Sequence, residues 1–111
     1  MARTPRFAQR VFTLAERNYC DAKEAAAAQS YAARFAAKEA FLKALKTGWS
    51  GKITWHDIEV VSDENRVPSL KIKGEALGIL ANLGAEQIHL SMSHTTEHAV
   101  AQVILERINE K

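Results

Sequence analysis

The chain holds one cysteine, Cys20, in 111 residues. An internal disulfide is therefore excluded, and the composition fits a reducing compartment. No apolar run approaches the ~20 residues needed to span a bilayer, and no secretory signal is visible. A cytoplasmic location is expected. Excess charge of one sign is also scarce: 15 Lys and Arg stand against 13 Asp and Glu, a net charge of +2. There is no broad basic field demanding nucleic acid, and no membrane partner is expected. No repeat, linker or low-complexity tract divides the chain. Residues 1–111 read as one domain with a modest core, small enough to benefit from oligomerisation.

Positive charge is dense only near the N-terminus, at Arg3, Arg6, Arg10 and Arg17. Arg3, Arg6 and Arg10 are three or four apart and can share one helical face. Thr13-Leu-Ala-Glu16 has the form of a capping box and starts a short helix through about Asp21. The alanine-rich stretch from Lys23 to Ala28 either continues that helix or bridges to the next.

Gln29 to Gly48 reads as the long helix around which the rest is organised, with a cap at Ser30 and a stop at Gly48. At about 100° per residue, Tyr31, Phe35, Phe41, Leu42 and Leu45 share one arc. Ala33, Ala36, Ala37, Ala40 and Ala44 form a smooth surface open to close backbone approach. Glu39, Lys43 and Lys46 form a polar stripe, with Glu39 and Lys43 in the favourable i, i+4 order for an ion pair. Arg34 and Lys38 project from within the large apolar arc. Either both snorkel to water, or each needs a partner, a protein carboxylate or a bound anion.

Ile53 to Val61 reads as a strand whose apolar parity slips near His56-Asp57, suggesting a bulge or bend there. Ser62 to Arg66 is a turn cluster. Leu70 and Ile72 alternate with lysines on a returning strand that Pro68 opens. Glu75 to Leu83 is a helix stopped by Gly84. Gln87 to Ser93 is a strand with Ile88, Leu90 and Met92 on one face, followed by a turn from His94. His98 to Glu106 is apolar on both faces and is expected to be a central strand. The fold class is α+β, with helices packed on one face of a mainly antiparallel sheet.

Arg34-Phe-Ala-Ala-Lys38-Glu39-Ala-Phe-Leu-Lys43-Ala-Leu-Lys-Thr47-Gly48 closely resembles the signature of the holo-[acyl-carrier-protein] synthases, the small bacterial 4′-phosphopantetheinyl transferases. Trp55 to Val60 and Leu90-Ser-Met-Ser93-His94-Thr95 support the likeness, which runs from about Arg6 to Glu106. It implies transfer of 4′-phosphopantetheine from coenzyme A to a serine of apo-acyl carrier protein, releasing 3′,5′-ADP. It also implies a divalent metal, usually Mg2+, and a homotrimer with coenzyme A lying between subunits. By the same resemblance the product is expected to serve fatty acid biosynthesis.

By that resemblance, Glu39 is the metal ligand and Lys43 contacts the pyrophosphate, balancing charge or moving a proton. Arg34 and His94, with Ser93 and Thr95 beside it, hold the 3′-phosphate or neighbouring parts of the nucleotide. Lys38 is an adjacent basic contact. Thr47-Gly48 is a loop that lets ligand approach backbone, and Pro68 belongs to the adenine-side loop. Arg6 and Arg10, with Arg3, dock the acidic helix of the carrier protein.

Two departures from the family pattern stand out. Alanines replace extra basic residues between Lys23 and Ala28, removing part of the expected phosphate clamp. The family's opening Gly-x-Gly-x-Asp strand, whose aspartate is the second metal ligand, has no counterpart in the chain. The sheet is then expected to lack a strand, and the metal site to keep Glu39 without its partner. Beside the enzyme reading stands an alternative: a truncated or degenerate relative that binds coenzyme A or carrier protein without efficient transfer.

Overall fold

A computed structural model describes residues 6–45, 52–94 and 98–106. The chain enters through α1 (Arg6–Val11) and α2 (Leu14–Asp21). The capping box forms as the sequence requires. Glu16 N donates to Thr13 Oγ1 at 3.2 Å, and Thr13 N donates to Glu16 Oε1 at 2.8 Å. A 3-10 turn over Glu24–Ala26 then leads directly into α3 (Ala27–Leu45). The long helix thus starts before the expected cap, because the alanines ahead of it are strong helix formers. Ser30 is buried inside the helix, and its hydroxyl donates to Cys20 Sγ at 3.2 Å rather than capping anything. The expected stop at Gly48 lies outside the described residues.

The expected strand from Ile53 is split. Trp55–Asp57 form a 3-10 turn, and β1 spans Ile58–Ser62. The parity slip is this turn, a bend rather than a bulge. Asp57 holds it by accepting from Thr54 Oγ1 at 3.1 Å and Thr54 N at 3.3 Å. β2 (Pro68–Ile72) pairs antiparallel with β1, setting Ser62 opposite Pro68. Between them Asp63 accepts from the amides of Asn65 and Val67, and Arg66 takes a left-handed φ of 66°. Next comes α4 (Gly74–Leu83), closed by Gly84 at φ 75°. There a side chain would meet the steric penalty that glycine escapes.

β3 (Gln87–His94) and β4 (Ala99–Glu106) form the second antiparallel pair, with Gln87 opposite Glu106 and His94 opposite Ala99. The α+β class with antiparallel pairing is as expected. Among the described residues, however, the strands form two hydrogen-bonded hairpins rather than one ladder. β4 is bonded only to β3, and Val100 and Ile104 are 61% and 52% exposed. The expectation of a centrally covered β4 is therefore corrected: among the described residues the face bearing Val100 and Ile104 is open.

α3 packs against β1, β3 and β4. Phe41, Leu42 and Leu45 meet Ile53, Ile58, Ala76 and Leu80 in the main core. Val11 and Phe12 of the N-terminal segment form a second cluster with Tyr31 and Phe35. The two arcs read from the sequence are thus largely consumed by packing.

Lys38 sits where α2, α3 and β1 converge, fully buried. Its ammonium pairs with Glu16 Oε1 at 2.9 Å and donates to the carbonyls of Trp55 and Ile58 at 3.0 and 2.5 Å. Three N–H bonds meet three acceptors, so the side chain does not snorkel. Burial lowers the Lys38 pKa, while the Glu16 charge opposes that shift. Glu16 Oε2 accepts from Val60 N at 2.6 Å, locking α2 to β1.

Removing one member of such a pair strands a buried charge. Glu16→Ala is expected to cost about 3–5 kcal/mol, whereas Glu16→Leu combined with Lys38→Met restores most of it. Urea unfolding of the native chain and the two variants checks this. A small loss in the single variant would mean that water reaches Lys38.

Candidate active site

One helical turn before Lys38, Arg34 is also buried, at 3% exposure, but is differently served. Its Nη2 donates to Ser62 Oγ at 3.1 Å, and among the described residues its Nε has no hydrogen-bond partner. Its guanidinium lies over the Tyr19 ring, 4.0 Å from Cζ to the ring centroid. Lys23 Nζ lies 4.7 Å from the same centroid. Among the described residues, Arg34 forms no ion pair with a carboxylate.

These groups border a cavity of about 310 Å³. Lys23, Arg34 and Arg66 bring three cations to its wall, with hydroxyls from Tyr19, Ser30 and Ser62. Pro68 and Met92 are among its apolar boundary. Among the described residues, no carboxylate lines it. Three cations and several hydroxyl donors without a carboxylate suit a phosphate-class anion, and a guanidinium can grip one with two parallel N–H bonds. The Tyr19 phenol reports the same field. Burial pushes its pKa up, but hydrogen bonding from Ser62 and Lys23 and the charges of Lys23 and Arg34 outweigh that, leaving it below the ordinary tyrosine value.

Each wall has a local cause. The capped helix α2 carries Tyr19, and the turn beyond it carries Lys23. The β1–β2 turn, shaped by Asp63, presents Arg66, and the β1–β2 pair brings Ser62 opposite Pro68. Tyr31 braces the helices on the far side of this region, donating to Asp21 at 2.9 Å. Burial first, and then the Asp21 carboxylate, push its phenol pKa well above the ordinary range.

Glu39 and Lys43 lie elsewhere. At about 100° per residue, Glu39 stands roughly 140° around α3 from Arg34. Both Glu39 and Lys43 are exposed, and neither forms an ion pair among the described residues, so the anticipated pair between them is not made. Among the described residues, no cluster of three or more His, Cys, Asp or Glu could hold a metal. One chain therefore presents a cationic cavity and an acidic–basic stripe on different faces of the same helix.

The remaining expected residues are distributed as follows. Pro68 borders the cavity with Arg34. His94 ends β3, two residues beyond the cavity-lining Met92. Ser93 is exposed and, by strand alternation, lies on the other face from Met92. Lys38 is corrected from a ligand contact to a structural cation, since all three of its N–H bonds end inside the fold. Arg6 and Arg10 are exposed on α1, near exposed Phe7 and Leu14. His56 Nε2 meets the Gln9 carbonyl at 2.9 Å and ties α1 to the 3-10 turn. Arg3, Thr47, Gly48 and Thr95 lie outside the described residues.

Sequence reasoning missed Tyr19, Lys23, Ser30, Ser62 and Arg66 as cavity residues. Lys23 and Arg66 bring cations to the cavity wall, although alanines fill the stretch from which basic residues were expected. Two cations flanking turns were the signal available for them; nothing local marks Tyr19.

A half-satisfied buried cation costs stability while the cavity holds no anion. Arg34→Met should be as stable as the native chain within about 1 kcal/mol in phosphate-free buffer. Inorganic pyrophosphate should raise the melting temperature of the native chain by mass action, and leave Arg34→Met unmoved. Scanning fluorimetry decides. Equal stabilisation of both would put the anion elsewhere.

A family model described as the 4′-phosphopantetheinyl transferase superfamily matches residues 1–103. A holo-[acyl-carrier-protein] synthase of Koribacter versatilis is 48% identical over 101 residues, covering 91% of this chain and 80% of that protein. One from Geobacter metallireducens is 46% identical, covering 96% of this chain and 83% of that protein. The crystal structure of a holo-(acyl-carrier-protein) synthase from Bacillus anthracis in complex with CoA (3′,5′-ADP) superposes with a TM-score of 0.74. It is 39% identical, covering 92% of this chain and 81% of that one. Cavity, helix signature and relatives agree: the chain belongs to the 4′-phosphopantetheinyl transferase superfamily, among its holo-[acyl-carrier-protein] synthases.

Proposed function

We propose that this chain moves the 4′-phosphopantetheine arm of coenzyme A to a serine of apo-acyl carrier protein, in a metal-dependent reaction that releases 3′,5′-ADP. The observation that carries the reading is the cavity around Arg34, a phosphate-sized space walled by three cations. It suits the phosphate-bearing nucleotide end of coenzyme A. Pro68 borders the adenine side, and His94 with its neighbours Ser93 and Thr95 contributes at the end of β3.

The chemistry follows from charge and alignment. The serine oxygen forms a bond to the β-phosphorus, the bond from that phosphorus to the 3′,5′-ADP oxygen breaks, and the serine proton is lost. Positioning and neutralisation of the departing pyrophosphate oxygen do most of the work. Lys43, one turn beyond Glu39, balances that charge or takes part in the proton transfer. Thr47-Gly48 lets the arm pass close to backbone.

Glu39 would hold Mg2+. Its carboxylate is exposed, and the ion needs only one or two carboxylates beside phosphate oxygens and waters, so the residue fits. Held there, the ion would supply charge neutralisation at the pyrophosphate.

Arg34 and Glu39 occupy different faces of α3, and the outer face of β4 is open and apolar at Val100 and Ile104. Both features favour a homotrimer in which Arg34 of one subunit and Glu39 of its neighbour serve one coenzyme. Arg6 and Arg10, with Arg3, meet the acidic carrier protein, speeding encounter and setting its orientation. Cytoplasmic work in fatty acid biosynthesis fits the lone unpaired Cys20.

Intact-mass spectrometry of an apo-acyl carrier protein with this chain and coenzyme A tests the reading. One added phosphopantetheine is expected with magnesium and none with EDTA, and Glu39→Ala should lower kcat/KM by about a hundredfold or more. Coenzyme binding without any addition would favour the non-transferring relative instead.

A further inference from the structure

Transfer as described leaves Tyr19 unused, although its ring meets two of the cavity's three cations. Its ring carries Arg34 at 4.0 Å and Lys23 at 4.7 Å. Two cations held near one ring repel each other. The ring's negative π face offsets part of that repulsion before a ligand arrives. Arg34 has little else to hold it: one hydrogen bond to Ser62 and an unpartnered Nε. Lys23 stands in the short turn after α2, a long flexible stem with no ion pair among the described residues.

α2 itself is rigidly placed. The Thr13 capping box starts it, and Glu16 anchors it through Lys38 and Val60 N. Tyr19 lies one residue short of a full turn beyond Glu16, so the same anchor sets its position. Ser62, which receives Arg34, lines the same cavity as Tyr19. Tyr19 thus contacts or shares a partner with each element that could drift.

We propose that Tyr19 is a positioning residue that preorganises Arg34 and Lys23 as a paired clamp for a phosphate monoester, and so sets the preference for coenzyme A over its 3′-dephospho form. This rests on the nucleotide end of coenzyme A occupying the Arg34 cavity. Removing the ring lets the two cations separate before binding, and the ligand must then gather them again, which weakens affinity. The effect falls on the phosphate monoester alone. A general loss of structure would weaken both ligands together.

The test is calorimetric titration of the full chain, with magnesium, against coenzyme A and against 3′-dephospho-coenzyme A. The native chain should bind coenzyme A more tightly. Tyr19→Leu should lose about tenfold in affinity for coenzyme A, the scale of one or two cation–π contacts, and less than about twofold for the dephospho form. Tyr19→Phe, which keeps the ring and loses the hydroxyl, should retain most of the discrimination and guards against a folding defect in the leucine variant. Equal losses for both ligands in Tyr19→Leu, or an unchanged ratio, would overturn the role of Tyr19 while leaving the transferase reading intact. A native chain that binds neither ligand would overturn both.

Discussion

The buried contact between Lys38 and Glu16 decides what the rest of α3 is free to do. Lys38 is fully covered, and its three N–H bonds end on Glu16 and on the carbonyls of Trp55 and Ile58. A charge can be carried inside a fold only when paired and hydrogen-bonded in this way. Its acceptors belong to α2, to the 3-10 turn at Trp55 and to the start of β1, so satisfying one lysine ties α3 to three other elements. Glu59 extends the join: it accepts from Thr13 Oγ1 at 2.6 Å and approaches Lys73 at 3.7 Å.

Arg34, a turn away on the same side of the helix, has the opposite condition. It is nearly as buried, yet it keeps an orphan Nε and a single neutral hydroxyl as acceptor. The contrast between the two cations separates scaffold from site. Where the fold supplies every acceptor, the charge belongs to the structure. Where it withholds them, the charge is left for a ligand. Sites of this kind trade stability for binding. Because the Lys38 anchor fixes α2, it also fixes the Tyr19 ring beneath Arg34, so the scaffold charge supports the binding charge at one remove.

Much of this was legible where the physics is local. The capping box at Thr13, the αL stop at Gly84, and the alternation of Leu70 and Ile72 and of Ile88, Leu90 and Met92 each depend on neighbours a few residues apart. The need for partners at Arg34 and Lys38 was legible too, because two cations in an apolar arc cannot go unserved. Which partner each takes was not. Lys38 meets a glutamate 22 positions earlier and carbonyls 17 and 20 positions later. Tyr19 and Arg66 reach the cavity only through the packing of α2 and the β1–β2 turn. The start of α3 was misplaced because Ser30 is a good cap in isolation, while the alanines ahead of it extend the helix and leave the hydroxyl to Cys20. Strand β4 reads as central because both its faces are apolar, and a single chain covers only one of them.

The most direct measurement follows the two side chains themselves: NMR of the Arg34 Nε–H and the Lys38 ammonium while 3′,5′-ADP is titrated into the chain. The account predicts a large downfield shift and slowed exchange at Arg34 Nε–H, with the Lys38 resonance nearly unmoved. A shift at Lys38 with Arg34 unchanged would contradict it, since the scaffold and binding roles would then be reversed.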